Sequence, residues 1–199
     1  MSKPYLIASL ILGLGDANPS VRENAAAEIF RMGREMARDV ATIWLTEPEL
    51  AGCFALGASH FPETTVGVAV QPEQFERIHT ANGSPRLAEV PPDQDAGEFE
   101  LHFPENQRLD ILTTRQPGGA GAIARFLAKF GEGIQQVEFL TINVDRATQI
   151  LQKRFDLAPV YPETRAGADG TRVNFFLVPS PQGDKVLVEL VEEKRESQA

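Results

Sequence analysis

Two acidic residues set among aliphatic residues are the part of this sequence best suited to do chemistry. They are Asp110 and Glu189, and each lies near the end of one of two stretches, 65–114 and 134–193. Both stretches have the pattern of one strand–helix–strands unit. A duplicated open sheet with carboxylates at equivalent inner positions can form a cup around a metal ion, because carboxylate oxygens bind hard cations. We therefore expect the functional site at these two residues.

Strand parity predicts which other side chains share the inner face of the sheet. Successive residues of a strand point to opposite faces, and the segment 98–103 alternates strictly between polar and apolar residues. If the apolar residues of each strand pack on helices, the inner face contains the following residues: Thr65, Glu98, Glu100, His102, Asp110, Gln136, Glu138, Arg172, Asn174 and Glu189. Such a set indicates a wet or ligand-filled concavity. An ordinary solvated sheet face with salt bridges remains the alternative.

The elements that must position these side chains follow a helical N-terminal region. There, Asn18 is suited to cap a helix that begins at Pro19, and Gly33 is expected to interrupt it. The later pattern predicts short strands that alternate with helices, and hence an α+β fold. The predicted strands are 65–70, 86–90, 98–103, 108–114, 134–141, 171–178 and 185–192, the predicted helices are 72–80, 122–130 and 144–155, and a turn is predicted at 181–183.

Composition excludes several classes of partner. The chain has 199 residues, of which 42% are hydrophobic, so it can bury a core. A formal charge of −9 argues against nucleic acid, whose binding requires clustered Lys and Arg. The apolar segment 5–14 is shorter than the roughly 20 residues of a membrane span, so no membrane partner is expected. The single cysteine, Cys53, cannot form an internal disulfide, so we expect a cytoplasmic location.

Four stretches of the sequence have the character of a known family. They are the run IARFLAKFGEGIQQV at 123–137 and the strands TVGVAV, RVNFF and VLVEL. Together they resemble the methylmalonyl-CoA epimerases of the vicinal oxygen chelate, or glyoxalase-like, superfamily. The resemblance spans about residues 64–193. No cluster that would bind the phosphates of coenzyme A is recognisable, because the glycine-rich segment 118–121 lacks the Gly-Lys-Ser/Thr ending of a phosphate loop.

The resemblance implies a fold and its boundaries. The fold would be α+β, with paired βαβββ modules that form a cup-shaped sheet and with a helical extension at residues 1–60. The glyoxalase-like domain would then comprise 61–199, with its first module at about 64–115 and its second at about 133–193.

The resemblance also implies four metal-ligand positions. The two histidines of the epimerases fall on Thr65 and Gln136. The two remaining ligands fall on Asp110 and Glu189. Because both imidazoles are replaced, Asp110, Gln136 and Glu189 would form an oxygen-only set, which suits Mg²⁺ or Mn²⁺ better than Zn²⁺. A metal-free site remains open.

Two functions follow from these positions. The first is a small-molecule lyase, isomerase or epimerase, because Glu100 falls near the carboxylate that the epimerases use for proton transfer. Glu100 and Glu189 would then move a proton next to a carbonyl group, with a divalent metal at the ligand positions. Substrate-binding residues would be Thr65, His102, Glu138, Arg172 and Asn174. The second function is a small-ligand-binding or dimeric interaction protein that has lost the metal site, and a homodimer is open in either case.

Overall fold

The computed structural model describes residues 3–179 and 185–193, and the turn predicted at 181–183 lies outside them. Strands and helices predicted from residue 65 onward are confirmed to within one residue at each end, apart from 86–90. The helices are α1 (Lys3–Leu14), α2 (Pro19–Leu45), α3 (Pro48–Ala51), α4 (Pro72–Ala81), α5 (Ala122–Phe130) and α6 (Val144–Phe155), and the strands are β1 (Thr64–Ala69), β2 (Gly97–Phe103), β3 (Gln107–Thr113), β4 (Gly133–Thr141), β5 (Arg165–Ala166), β6 (Arg172–Pro179) and β7 (Lys185–Glu192).

The chain divides into two compact units. The first comprises Met1–Gly33 and Thr65–Gln135, and the second comprises Arg34–Thr64 and Gln136–Ala199. Each unit combines one strand module with part of the N-terminal helical region. The domain boundary predicted between residues 60 and 61 stays a prediction. No helix in the described ranges is long and apolar enough to cross a membrane.

The first unit contains a sheet in the order β2-β3-β1. Strand β3 pairs parallel with β1 and antiparallel with β2, which sets Asp110 beside Gly67 on one side and Glu100 on the other. The opposite face of this sheet packs on helices, as parity predicted. Its core includes Ile11, Leu14, Ile29, Val66, Val68, Phe99, Leu109 and Ile111.

The strand predicted at 86–90 does not form. In this segment the Ala88 N–H donates to the Glu98 carbonyl oxygen of β2 at 2.9 Å. Proline residues at 85 and 91 border the segment, and proline has no N–H to donate to a strand ladder. The first module is therefore one strand shorter than the second.

The second unit contains a sheet in the order β4-β7-β6-β5. Strand β7 pairs parallel with β4 and antiparallel with β6. On its helix side the core is built around Trp44, which stacks on Phe54 and meets Phe139 and Phe176 edge-on, with ring centroids 6.2–6.3 Å apart. Cys53 is buried in this core, as expected of a packing residue, and burial raises the pKa of its thiol.

The two modules repeat one scheme of strand pairing. In each, the last strand lies parallel to the first and antiparallel to the strand before it. Asp110 pairs with Gly67 in the first module, and Glu189 pairs with Glu138 at the corresponding position of the second. The predicted fold class, α+β with paired modules and a helical N-terminal extension, is confirmed, as is the equivalence of the two acidic residues.

Helix α2 corrects one prediction about the N-terminal region. The helix begins as expected, since the Asn18 side chain accepts a hydrogen bond from the Ser20 N–H at 3.0 Å. It then runs through Gly33 without a break. A Cβ atom at residue 33 would lie 2.6 Å from both Cγ atoms of Val66, so glycine is there for the close approach of β1.

We expect Gly33→Ala to destabilise the protein by about 1–2 kcal/mol. Overpacking against Val66 costs about 1–3 kcal/mol, and the better helix propensity of alanine recovers part of this. Urea unfolding checks the value. Gly52→Ala is the control, because a Cβ there would lie 3.4 Å from its nearest neighbour, an ordinary contact. Equal stability of Gly33→Ala and the unchanged protein would contradict this role.

Candidate functional site

The second unit holds a pair of carboxylates joined by an amide. Glu138 on β4 and Glu189 on β7 lie directly opposite each other in the parallel register. The Gln136 amide nitrogen donates to Glu189 Oε2 at 2.5 Å and to Glu138 Oε1 at 3.1 Å. Gln136 and Glu189 are 8% and 7% exposed, so this group is set into the sheet surface. We call Gln136, Glu138 and Glu189 the carboxylate site.

Apolar neighbours fix the direction of these side chains. Val137 and Phe139 are fully buried on the helix side of β4, which turns Gln136 and Glu138 to the other face. Val188 and Leu190 likewise flank Glu189. This is the face that parity predicted for all three residues of the carboxylate site.

The amide offsets part of the cost of burying a carboxylate. A buried charge is strongly unfavourable unless it is hydrogen-bonded or paired. A hydrogen bond to a charged group contributes about 1.5–3 kcal/mol. The Gln136 amide supplies such bonds to Glu189 and to Glu138, and so holds both carboxylates in a defined position.

An aromatic wall borders the carboxylate site. Phe175 on β6 lies directly opposite Glu189, and its ring meets that of Tyr161 at 5.9 Å between centroids. The Val160 N–H donates to the Phe175 carbonyl oxygen at 2.7 Å, which fixes the segment containing Tyr161 against β6. The Arg165 guanidinium lies 4.3 Å from the centre of the Tyr161 ring. The sequence did not predict this wall, because the alternate residues of β6 were assigned to the wrong faces of the sheet.

The prediction that Arg172 and Asn174 lie on the inner face of the sheet is wrong. In the observed register Asn174 pairs with Leu190, so it points to the helix side, away from Glu189. Asn174 is fully buried there, with its amide nitrogen 3.5 Å from the Thr148 hydroxyl. Arg172 is bound by Asp145 at 2.6 Å and by Glu192 at 3.3 Å. Both faces of β6 carry apolar residues, and its two polar residues, Arg172 and Asn174, lie on the face that meets the helix, so the sequence pattern indicates the wrong face.

The polar residues predicted on the first module share one sheet face. Glu100 lies opposite Asp110, and His102 lies opposite Arg108, which is itself beside Thr65. The His102 Nε2 atom is 3.2 Å from Glu100 Oε2, and these side chains are 68% and 40% exposed. The catalytic and binding roles of Glu100, His102 and Thr65 stay predictions, as does the convergence of Asp110 with Glu189.

The residues of the carboxylate site do not fit a divalent cation. In the described part of the chain, no group of three or more His, Cys, Asp or Glu residues is placed to hold a metal ion. Magnesium takes six oxygen ligands, several of them water, and it cannot bind an N–H group. Here the amide N–H groups of Gln136 already bind the oxygens of Glu138 and Glu189 that would face such an ion.

The glycine-rich entry to α5 is not arranged as a phosphate site. Asp95 lies against it, since a Cβ on Gly121 would be 2.8 Å from Asp95 Oδ2. The same carboxylate accepts a hydrogen bond from the Thr114 hydroxyl at 2.7 Å. A negative group at the N-terminus of this helix stands where a phosphate would bind.

Solved structures share this fold. A methylmalonyl-CoA epimerase from Mycobacterium tuberculosis is 30% identical over 65% of this chain and 86% of its own, with a TM-score of 0.53. A hypothetical protein from Bacillus halodurans C-125 is 23% identical over 68% and 96%, with a TM-score of 0.54. A Streptomyces coelicolor methylmalonyl-CoA epimerase in complex with 2-nitronate-propionyl-CoA is 23% identical over 65% and 94%, with a TM-score of 0.52.

These similarities decide the family. No family model and no curated protein matches the sequence. The extent and identity of the match to the mycobacterial epimerase, together with the paired modules, show that the chain belongs to the vicinal oxygen chelate superfamily. Within it, the chain is similar to methylmalonyl-CoA epimerases, which places it in an epimerase- or isomerase-like family.

We expect Asp145→Asn to destabilise the protein in a pH-dependent manner, which tests the structural role of Arg172. Hydrogen bonds from Arg172 and then from Thr164 hold the pKa of the Asp145 carboxyl below its ordinary value of 3.8. Because the pKa of Asp145 is lower in the folded state, its ionised carboxylate stabilises the folded protein at pH values above the unfolded-state pKa. This stabilisation is lost as the pH falls through the folded-state pKa. The difference from the unchanged protein should be about 1 kcal/mol or less at neutral pH, because the pair is half exposed.

Urea unfolding across the acid range measures this difference. It should shrink as the pH falls below 3.8, the ordinary pKa of an aspartate. Glu163→Gln, an exposed change in the neighbouring loop, is the control and should show no such trend. A difference for Asp145→Asn that is constant with pH would contradict the pairing.

Proposed function

We propose that this protein is an epimerase or isomerase that exchanges a proton on the carbon next to a carbonyl group, with Glu189 as a catalytic base. The observation that supports this most directly is the buried Glu189 carboxylate, held at 2.5 Å by the Gln136 amide. Similarity to methylmalonyl-CoA epimerases supports the same class of reaction.

The proposed chemistry is a proton transfer to and from carbon. The Glu189 carboxylate takes the proton, the C–H bond breaks, and its electron pair becomes part of an enolate. Return of a proton to the same carbon restores the substrate or gives its epimer. No step requires an external oxidant or reductant. A positioned base of this kind contributes about 10²- to 10⁴-fold to the rate.

The surroundings of Glu189 favour a small acyl substrate. Phe175 and Tyr161 place apolar surface beside the carboxylate, where the carbon skeleton of an acyl group can pack. Structures similar to this chain are described in complex with methylmalonyl-CoA or with 2-nitronate-propionyl-CoA. We therefore take methylmalonyl-CoA as the first substrate to test. A homodimer, predicted from the sequence as an open alternative, stays a prediction.

We expect Glu189→Gln to slow proton exchange strongly without unfolding the protein. Gln keeps the shape of the side chain but cannot accept a proton from carbon. The assay is deuterium incorporation from D₂O into methylmalonyl-CoA, followed by mass spectrometry, with a fall of about 10²-fold or more. Glu76→Gln, an exposed change on α4, is the control and should leave the rate unchanged.

The opposite results would reject this function. Equal exchange by Glu189→Gln and the unchanged protein would remove Glu189 from the mechanism. Thermal stabilisation by methylmalonyl-CoA without any exchange would instead favour the ligand-binding protein that the replaced imidazoles also suggest. Stabilisation grows with ligand concentration as RT ln(1 + [L]/Kd), so a titration separates that outcome from no binding.

Glu100→Gln tests the second predicted catalytic carboxylate in the same assay. Epimerisation requires one group to remove the proton and another to deliver one to the opposite face of the carbon. If Glu100 has either role, the variant should lose formation of the epimer by about 10²-fold or more. Glu105→Gln, on the exposed turn between β2 and β3, is the matched control. An unchanged rate for Glu100→Gln would reject this role.

A further inference from the structure

We infer that Gln136 is a positioning residue whose amide takes the place of a metal ion, so that the carboxylate site works without a divalent cation. This inference rests on the proposed function only for its consequences in catalysis. Its consequences for metal binding are independent of any activity.

The orientation of the Gln136 amide is fixed by its two neighbouring carboxylates. Gln136 Nε2 has two N–H groups, and the two carboxylate oxygens lie at 2.5 and 3.1 Å, both within hydrogen-bond reach. If the amide were reversed, its oxygen would face two carboxylate oxygens at these distances. Acceptors would then face acceptors, which is repulsive. The nitrogen therefore points toward Glu138 and Glu189.

The strand register calls for a hydrogen-bond donor between the two carboxylates. Glu138 and Glu189 are direct neighbours on parallel strands, and like charges in such positions destabilise a sheet. Gln136 lies two residues before Glu138 on the same strand and the same face, which lets one amide reach both carboxylates. A bridging donor at this position reduces the repulsion, as a bridging cation would.

The amide and a metal ion would compete for the same carboxylate oxygens. A metal ion at this position would have to displace the amide from Glu138 Oε1 and Glu189 Oε2. The carboxylate site would then offer the ion two carboxylate ligands and no imidazole. Replacing Gln136 by His should remove the amide and add a nitrogen ligand, giving one imidazole and two carboxylates, a set that transition metals accept.

The metal test uses the purified full chain and Co²⁺ or Mn²⁺ alone. The unchanged protein should give no Co²⁺ ligand-field absorption and no saturable Mn²⁺ binding by calorimetry. Gln136→His should bind Co²⁺ at least about tenfold more tightly than the unchanged protein. Gln149→His, an exposed change on α6, is the matched control for an added imidazole and should behave as the unchanged protein does.

Circular dichroism and thermal unfolding show whether each variant is folded. Should Gln136→His not fold, Gln136→Glu gives a second route, because it removes the donor and adds a third carboxylate. It too should gain affinity for Mn²⁺. Binding of either metal by the unchanged protein as tightly as by Gln136→His would overturn the inference.

The catalytic test is designed to separate this inference from the proposed function. Proton exchange by the unchanged protein should be insensitive to EDTA. Gln136→Leu, which cannot donate, should lower kcat about tenfold or more with KM little changed, because the amide orients the base without binding substrate. Activity that EDTA abolishes and Mn²⁺ restores would overturn the inference and leave the function intact. Metal results as expected, with no exchange at all, would reject only the function.

Discussion

The hydrogen bonds from Gln136 to Glu138 and to the buried carboxylate of Glu189 are the interaction on which this site depends. Glu189 lies between fully buried aliphatic residues on a central strand, where an unpartnered charge would be strongly unfavourable. The amide nitrogen of Gln136, at 2.5 Å, satisfies one of its oxygens and also reaches Glu138. The chain can therefore keep a defined carboxylate beside an aromatic wall, as the proposed proton transfer requires.

Strand pairing makes that interaction specific. The parallel register of β4 and β7 sets Glu138 opposite Glu189, and the antiparallel register of β7 and β6 sets Phe175 on its other side. The first module repeats the scheme, with Gly67 and Glu100 on the two sides of Asp110. One pairing pattern thus supports two different surroundings. The acid of the second module is buried beside an aromatic residue, whereas that of the first lies beside glycine and an exposed glutamate.

The sequence predicted the site where one strand face was clearly apolar. Val137 and Phe139 leave no doubt about the helix side of β4, so the direction of Gln136 and Glu138 was predicted correctly. Strand β6 has apolar residues on both faces, and only the register with β7 shows that Phe175, not Asn174, is beside Glu189. The local sequence predicted a helix break at Gly33. A glycine is needed there because Val66, which is distant in the sequence, packs closely against it.

The amide nitrogen of Gln136 lies between two carboxylates in place of a cation. A crystal structure of the protein grown in excess Mn²⁺, with anomalous data collected at the manganese edge, tests this most directly. We expect no anomalous peak at Glu189 and an amide nitrogen within about 3.2 Å of both Glu138 and Glu189. A manganese peak bonded to Glu189, with the Gln136 side chain turned away or bound through its oxygen, would contradict the account.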